Sequence, residues 1–193
     1  MTEIINFLVS TIGTLGYFGI FALMFLESSF FPFPSEVVMI PAGYLAFKGD
    51  MSLTLVLIFG VLGSLAGAWL NYILALKYGR NLILKIISNE KLKKLELFFT
   101  NYGNISTFTG RLIPGVRQYI SFPAGLAKMN KITFSLYTML GATIWSVILV
   151  ALGYFLGDNQ ELIDKYLQEI TIILIIISIL LYKIKNNTLN QIN

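Results

Sequence analysis

Long apolar stretches separated by short polar breaks dominate the pattern of this chain. Residues 51–76 and 132–157 contain no charged side chain. Each is long enough to cross the roughly 30 Å hydrocarbon core of a bilayer as a helix. A third apolar run covers 167–182, with Glu169 near its start. The pattern therefore predicts an all-α protein that crosses a membrane several times.

Proline interrupts the apolar stretch that precedes the first of these spans. Residues 16–31 run directly into Pro32 and Pro34, and a second apolar piece follows over 37–47. Proline ends helices, and the second piece is too short to cross the bilayer by itself. We therefore predict a re-entrant hairpin in which one helix enters, the chain turns at the prolines, and a second helix leaves by the same face.

The same arrangement recurs before the second span. An arm over 104–112 is followed by a break at Pro114 and Gly115, and a returning arm covers 118–127. The sequence therefore predicts a second hairpin, with its turn at the Pro-Gly pair.

The placement of charge orients these elements relative to the membrane. Basic side chains concentrate in 77–100, which we interpret as a basic amphipathic helix, and they recur at Lys128 and Lys131, whereas the loop at 158–166 is acidic. Cytoplasmic segments of membrane proteins are enriched in Lys and Arg. The second hairpin is therefore predicted to enter from the cytoplasm and the first hairpin from the opposite face.

Each half of the chain shows one order of elements: an amphipathic segment, a broken hairpin and a full span. Repeat 1 covers about 3–77 and repeat 2 about 80–157, and the motif Pro-Ala-Gly occurs in both returning arms, at 41–43 and 123–125. Because the hairpins enter from opposite faces, the predicted fold is an inverted repeat. Transporters use this architecture to build a binding site between opposed broken helices.

The predicted fold class is thus an all-α polytopic membrane protein. It is an inverted repeat of amphipathic helix, re-entrant hairpin and transmembrane helix, plus a C-terminal transmembrane helix. A single membrane domain is predicted over 1–185, with the extra helix at 167–184 and a disordered polar tail at 186–193.

Four charged side chains fall inside the two predicted hairpins. Glu27 and Glu36 belong to the first, and Arg111 and Arg117 to the second. Charges at membrane depth are costly and commonly mark functional sites. The arginines suit an anionic head group, most naturally a phosphate. The carboxylates are the candidate proton carriers, since the chain lacks histidine. A static salt-bridge network between the hairpins is the structural alternative.

Composition narrows the function classes. The chain is 56% hydrophobic and only 12% charged, as in integral membrane proteins, and it has neither cysteine nor histidine. Disulfides, thiolate chemistry, Ser-His dyads and HExxH metal sites are therefore excluded. We predict no enzymatic activity, no cofactor, no metal and no nucleic-acid partner. A lipid phosphatase with a metal held by Glu27 and Glu36 remains an alternative.

The motifs resemble those of the DedA family, also called the VTT or SNARE-associated domain family. Glu27 is followed by FPFPSE and PAGYLA in the first half, and GRLIPGVR is followed by PAGLA in the second. The resemblance covers about residues 10–160. It implies that Glu27 and Glu36 correspond to the essential acidic positions of the family, and Arg111 and Arg117 to its essential arginines.

The resemblance also implies a function and a location. Members look like flippases or scramblases of undecaprenyl phosphate or of phospholipids such as phosphatidylethanolamine. They are located in the bacterial cytoplasmic membrane and linked to the proton motive force and envelope homeostasis. Our leading interpretation is a transporter of an anionic lipid head group, with proton coupling left open. The alternative is a proton-coupled small-ion antiporter that uses the same four charges. The lipid, the direction of transport and the oligomeric state are not predicted.

Overall fold

The computed structural model describes residues 2–29, 34–79, 84, 89–113 and 116–155, with side chains from residue 10 onward except those of Lys91 and Leu95. These parts of the chain are all-helical. The helices are α1 (Thr2–Ser28), α2 (Glu36–Phe47), α3 (Leu53–Leu74, continuing as a π-helical turn over Ala75–Gly79), α4 (Asn89–Leu112), α5 (Ser121–Leu126) and α6 (Lys131–Phe155). The predicted helix at 167–184, the tail at 186–193 and the breaks at Pro32, Pro114 and Gly115 lie outside the described residues.

Among the described residues, three helices are long and apolar enough to cross a membrane: Ser10–Ser28, Leu53–Gly79 and Lys131–Phe155. The last two correspond to the predicted spans at 51–76 and 132–157. Their outward faces carry exposed leucine and isoleucine side chains, as expected for helices in contact with lipid rather than water. The chain is therefore a multi-pass membrane protein.

The first helix has a break at the boundary that the sequence pattern predicted. The amphipathic segment of repeat 1, expected at 3–15, and the arm at 16–31 are two helical pieces of α1 that meet at Gly16, whose φ of 61° and ψ of −151° are not helical. Glycine adopts a positive φ without a steric penalty. The boundary is thus a kink inside one helix, and the part from Ser10 onward reaches the length of a span.

The second half shows a difference from the predicted pattern. The segments 77–100 and 104–112 were predicted as two helices, but α4 runs without interruption through Gly103. A glycine inside a helix costs only about 1 kcal/mol, which is too little to end it here. The returning arm predicted at 118–127 is shorter than expected, because residues 116–120 form turns before α5.

The same packing pattern occurs in both halves of the chain. Helix α1 packs against α3, and α4 packs against α6. The short helices that follow the breaks contact the long helix of the other half, α2 against α6 and α5 against α3. Each half of the chain therefore completes the packing of the other.

Glycines allow backbone-to-backbone contact at two of these interfaces. A Cβ atom at Gly63 or Gly67 of α3 would overlap the carbonyl oxygen of Phe21 or Phe25 in α1, and one at Gly153 of α6 would overlap that of Ile40 in α2. In the sequence, the spacing of Gly60, Gly63, Ser64 and Gly67 predicts a small-residue face on the first span, and the contacts at Gly63 and Gly67 confirm it as a surface of close helix contact. It brings the C-terminal end of α1, with Glu27, against α3.

Candidate functional site

Two carboxylates flank the break in the first half. Glu27 lies in the last turn of α1 and is 2% exposed, and Glu36 is the first residue of α2 with a side chain that is 15% exposed. Burial of a carboxylate is costly unless a cation or hydrogen-bond donors compensate its charge.

Arg117 supplies that cation to both carboxylates. Its Nη2 atom lies 3.1 Å from Oε1 of Glu27 and 3.7 Å from Oε2 of Glu36. Oε1 of Glu27 has no hydrogen-bond partner of good geometry, so this 3.1 Å contact is an ion pair and not a well-directed hydrogen bond. The guanidinium also lies over the ring of Trp145, with Cζ 5.0 Å from the ring centroid.

Trp145 in turn is fixed by the first half of the chain. Its indole N–H donates a hydrogen bond of 3.2 Å to Oγ of Ser35, the residue before Glu36. The ring thus covers Arg117 while its polar edge binds next to one of the two carboxylates. A cation over an indole face gains electrostatic stabilisation of about 0.5–2 kcal/mol, more when the pair is dry.

Arg111 has a different environment. It is 3% exposed, near the end of α4. Its guanidinium donates long hydrogen bonds to the hydroxyls of Ser28 and Ser64, both 3.4 Å, and of Ser121, 3.3 Å. Its Nε has no hydrogen-bond partner. In the described parts of the chain, no carboxylate lies within 4 Å of this guanidinium.

Serine hydroxyls connect Arg111 with Glu27. Oγ of Ser28 donates to Oε2 of Glu27 at 2.8 Å and lies 2.6 Å from Oγ of Ser64. A serine hydroxyl has a single proton. Because Ser28 gives its proton to the carboxylate, Ser64 is the donor to Ser28. The hydrogen bonds therefore run in one direction, from Arg111 through Ser64 and Ser28 to Glu27.

A cavity of about 10 Å³ lies between these groups. Its lining consists of Met24, Glu27, Ser64, Arg111, Arg117, Ala142, Trp145 and Ser146. This volume is about that of one water probe, and a phosphate group does not fit. The site is therefore closed in this conformation, and an anion would enter only after the surrounding helices move apart.

The structure brings together the four charged residues singled out from the sequence. Glu27, Glu36 and Arg117 form ion pairs, and Arg111 lines the same cavity as Glu27 and Arg117. The roles assigned to them, anion binding and proton transfer, stay predictions. Of the residues predicted to break the hairpins, Pro34 precedes α2 and is half-buried.

Several site residues were missed by the sequence reasoning. They are Ser64, Asn71, Ser121, Trp145 and Ser146. Two signals could have found some of them. Ser64 and Ser146 are polar residues within apolar spans, and Trp145 lies in the interior of a span and not at its end, where interfacial tryptophans are usual. The sequence alone favours an interhelical hydrogen bond for Asn71, a polar residue within the first span, and does not mark it as part of a site.

Few side chains in the described parts of the chain could bind a metal ion. In the part of the chain that the structure describes, no group of three or more His, Cys, Asp or Glu side chains could hold a metal ion. The two carboxylates that could have formed a metal pair, Glu27 and Glu36, face the guanidinium of Arg117 instead.

Fold and site together define a polytopic helical membrane protein with a buried cluster of opposite charges. The chain belongs to the VTT domain family, whose model matches residues 33–155, well over half of its length. The resemblance to the DedA family is thereby confirmed. Protein DedA of Escherichia coli is 27% identical over 90% of this chain and 83% of its own length.

Relatives with different names are at least as similar. YkoX of Bacillus subtilis, an uncharacterized membrane protein, is 35% identical over 92% of this chain and 83% of its own. A Lactococcus lactis protein named alkaline phosphatase-like protein is 34% identical over 93% and 89%. Undecaprenyl phosphate transporter A of B. subtilis is 30% identical over 97% and 98%. No solved structure matches the chain.

Proposed function

We propose that this protein is a flippase or scramblase that moves the phosphate-bearing head group of a membrane lipid across the bacterial cytoplasmic membrane. The observation that carries the proposal is the state of Arg111. This guanidinium is 3% exposed, has no carboxylate within 4 Å among the described residues, and leaves Nε without a partner. A buried charge of this kind is stabilised by an opposite charge, and a phosphate offers paired oxygens that match the guanidinium fork.

The architecture proposed for this transport is the inverted repeat with two re-entrant hairpins. The exchange of short helices between the halves supports it, because α2 contacts α6 and α5 contacts α3 in equivalent fashion. Breaks at Pro32 and Pro34 and at Pro114 and Gly115 would then meet from opposite faces of the membrane. Transporters of this kind bind their substrate between such broken helices.

The lipid that we propose first is undecaprenyl phosphate. The support is the printed name of the B. subtilis relative, which matches nearly the whole chain at 30% identity. A phospholipid is the other candidate, since its phosphate offers Arg111 the same oxygen acceptors. In both cases the head group would pass through the site while the acyl or prenyl tail stays in the bilayer.

Glu27 and Glu36 are the proposed proton-coupling residues. Both carboxylates contact Arg117. A proton bound by either one would remove a negative charge that faces this guanidinium. Arg117 would then be free to join Arg111 on the lipid phosphate, and the departure of the lipid would restore the ion pairs. Under this proposal the closed cavity is the substrate-free state.

The test is reconstitution of the full chain into liposomes that contain a labelled lipid. One set carries labelled undecaprenyl phosphate, a second carries labelled phosphatidylethanolamine, and each is measured with and without a pH gradient. We expect head-group translocation that depends on Arg111. Protein-dependent ion flux in the absence of either labelled lipid, with no head-group movement, would instead establish the small-ion antiporter.

A phosphatase is the second candidate function, and the name of the L. lactis relative favours it. The same liposomes distinguish it from transport. In the liposomes with undecaprenyl phosphate, hydrolysis of the phosphomonoester by water would release inorganic phosphate and leave the prenol, whereas transport leaves the lipid intact. Phosphate release by purified protein that is lost in the Glu27→Gln variant would replace the transport proposal.

A further inference from the structure

Asn71 is a buried amide in the last turns of α3, with 2% of its surface exposed. Its Nδ2 atom lies 3.1 Å from the carbonyl oxygen of Ser28, 2.8 Å from that of Ser29 and 3.3 Å from that of Gln118. Backbone carbonyls only accept hydrogen bonds. The three contacts therefore fix the orientation of the amide, with its NH₂ group toward the backbone oxygens.

The three carbonyls belong to two separate segments of the chain. Ser28 is the last residue of α1 and Ser29 follows it, while Gln118 lies in the turns between α4 and α5. In the sequence, Ser28 directly follows Glu27, and Gln118 directly follows Arg117. Asn71 thus bonds the backbone next to both members of the 3.1 Å ion pair.

We propose that Asn71 is the positioning residue that holds the Glu27 segment against the Arg117 segment and keeps the site closed. The last carbonyls of a helix have no partner within the helix, and an apolar environment supplies no water to replace one. Asn71 supplies the donor for two segments at once, so they separate only when its hydrogen bonds break. The inference rests on the proposed function, because the site that Asn71 keeps closed is the one where Arg111 and Arg117 are proposed to bind the lipid phosphate.

The competing interpretation is an ordinary interhelical hydrogen bond that stabilises the fold without controlling the site. The chain offers a matched control for it. Nε1 of Trp69, also on α3, donates a 3.0 Å hydrogen bond to Oγ of Ser135 on α6. This bond joins two long helices and touches neither charged segment. Ser135→Ala therefore removes a bond of the same kind from the same helix at a different place.

The experiment uses the absence of cysteine from the chain. Met24 lines the cavity and is 2% exposed, so Met24→Cys places a single thiol at the site. The full chain is reconstituted in liposomes of phosphatidylethanolamine and phosphatidylglycerol, and its reaction rate with a water-soluble maleimide is measured. This rate reports how often the cavity opens, with no lipid substrate required.

In this background, Asn71→Ala and Asn71→Asp are each expected to raise the labelling rate at least tenfold. The factor corresponds to about 1.4 kcal/mol, the net value of one or two hydrogen bonds. Asn71→Asp keeps the shape but replaces the donor by an acceptor. Ser135→Ala is expected to leave the rate within about twofold of the parent, since it frees neither charged segment.

Labelling of both Asn71 variants at the parental rate would overturn the proposal, and so would an equal acceleration in Ser135→Ala. If Asn71→Ala does not fold, Asn71→Ser carries the test, because its hydroxyl can serve one carbonyl and an intermediate rate is expected. The outcome is separable from the transport assay. Faster labelling without any lipid translocation would retain the role of Asn71 and reject the proposed function.

Discussion

Arg111 and Arg117 are six residues apart and almost equally buried, at 3% and 7% exposed, yet they occupy opposite electrostatic situations. Arg117 lies between two carboxylates and under an indole ring. Among the described residues, the guanidinium of Arg111 donates its hydrogen bonds to serine hydroxyls, and no carboxylate lies within 4 Å of it. The comparison teaches that two almost equally buried arginines can differ in whether a carboxylate compensates their charge, and under the proposed function the arginine without such a partner is the one that binds the anion. The difference arises because Glu27, in the last turn of α1, and Glu36, in the first turn of α2, both face Arg117.

The largest expected effect is the loss of Arg117. Arg117→Met leaves the buried Glu27 and the partly buried Glu36 without their cation, and breaking a buried ion pair in this way costs roughly 3–5 kcal/mol. We expect a fall of that size in the free energy of unfolding measured in detergent micelles. Adding Glu27→Gln to Arg117→Met should recover part of the loss, because it removes one of the uncompensated charges.

Arg111→Met is the matched comparison for stability. It removes a buried charge that has no carboxylate partner in the described parts of the chain, so its unfolding free energy should stay equal or rise. Equal destabilisation by Arg111→Met and Arg117→Met would contradict the distinction between the two arginines.

The next effect is on transport by Arg111 variants. Arg111→Lys keeps the charge but loses the planar fork that binds two phosphate oxygens. We expect head-group translocation in liposomes to fall about a hundredfold, which corresponds to roughly 2.7 kcal/mol. Lys94→Met is the control on the same helix, because Lys94 pairs with Glu90 at the surface with 74% of its side chain exposed. Normal transport by Arg111→Lys would remove the support for a bidentate phosphate contact.

A smaller effect is expected from the serine chain between the arginine and the carboxylate. Ser64→Ala removes one of the two donors to Ser28, the other being Arg111, and one acceptor of Arg111, a loss of about 1–2 kcal/mol. Translocation should slow roughly tenfold at unchanged protein yield. Ser146→Ala is the comparison, since Ser146 lines the cavity but is not one of the hydroxyls that Arg111 contacts. If both variants slow translocation equally, the hydrogen bonds through Ser64 and Ser28 do not couple Arg111 to Glu27.

The smallest effect is expected at Trp145. Trp145→Phe keeps an aromatic face over Arg117 but loses the hydrogen bond to Ser35, for which we expect less than about 1 kcal/mol in unfolding free energy. Trp145→Leu also removes the cation–π contact and should cost about 0.5–1 kcal/mol more. Thermal unfolding of the two variants side by side checks the order, and a reversed order would count against the contact with Arg117.

Much of the fold follows from the sequence. Charge-free runs at 51–76 and 132–157 predicted helices within a few residues of Leu53–Gly79 and Lys131–Phe155, because only helices satisfy their backbone in an apolar medium. The four hairpin charges could also be found, since such residues are rare in apolar segments.

Other features depend on contacts that no local pattern encodes. The continuity of α4 through Gly103 could not be predicted, since a glycine there is compatible with either a kink or a continuous helix. The division of roles between Arg111 and Arg117, and the part of Asn71, depend on which helix end faces which. Asn71, for example, is more than forty residues away in sequence from both Ser28 and Gln118, whose carbonyl oxygens it contacts.

The glycine contacts described for α3 and α6 have a mechanical consequence. Backbone-on-backbone contact leaves no soft layer of side chains, so α1 and α3 would move together, and α2 and α6 would move together. Glu27 belongs to the first pair and Glu36 to the second. Because Nη2 of Arg117 contacts both carboxylates, a displacement that separates the two pairs lengthens at least one of the two ion-pair distances, and these distances therefore report the separation of the pairs.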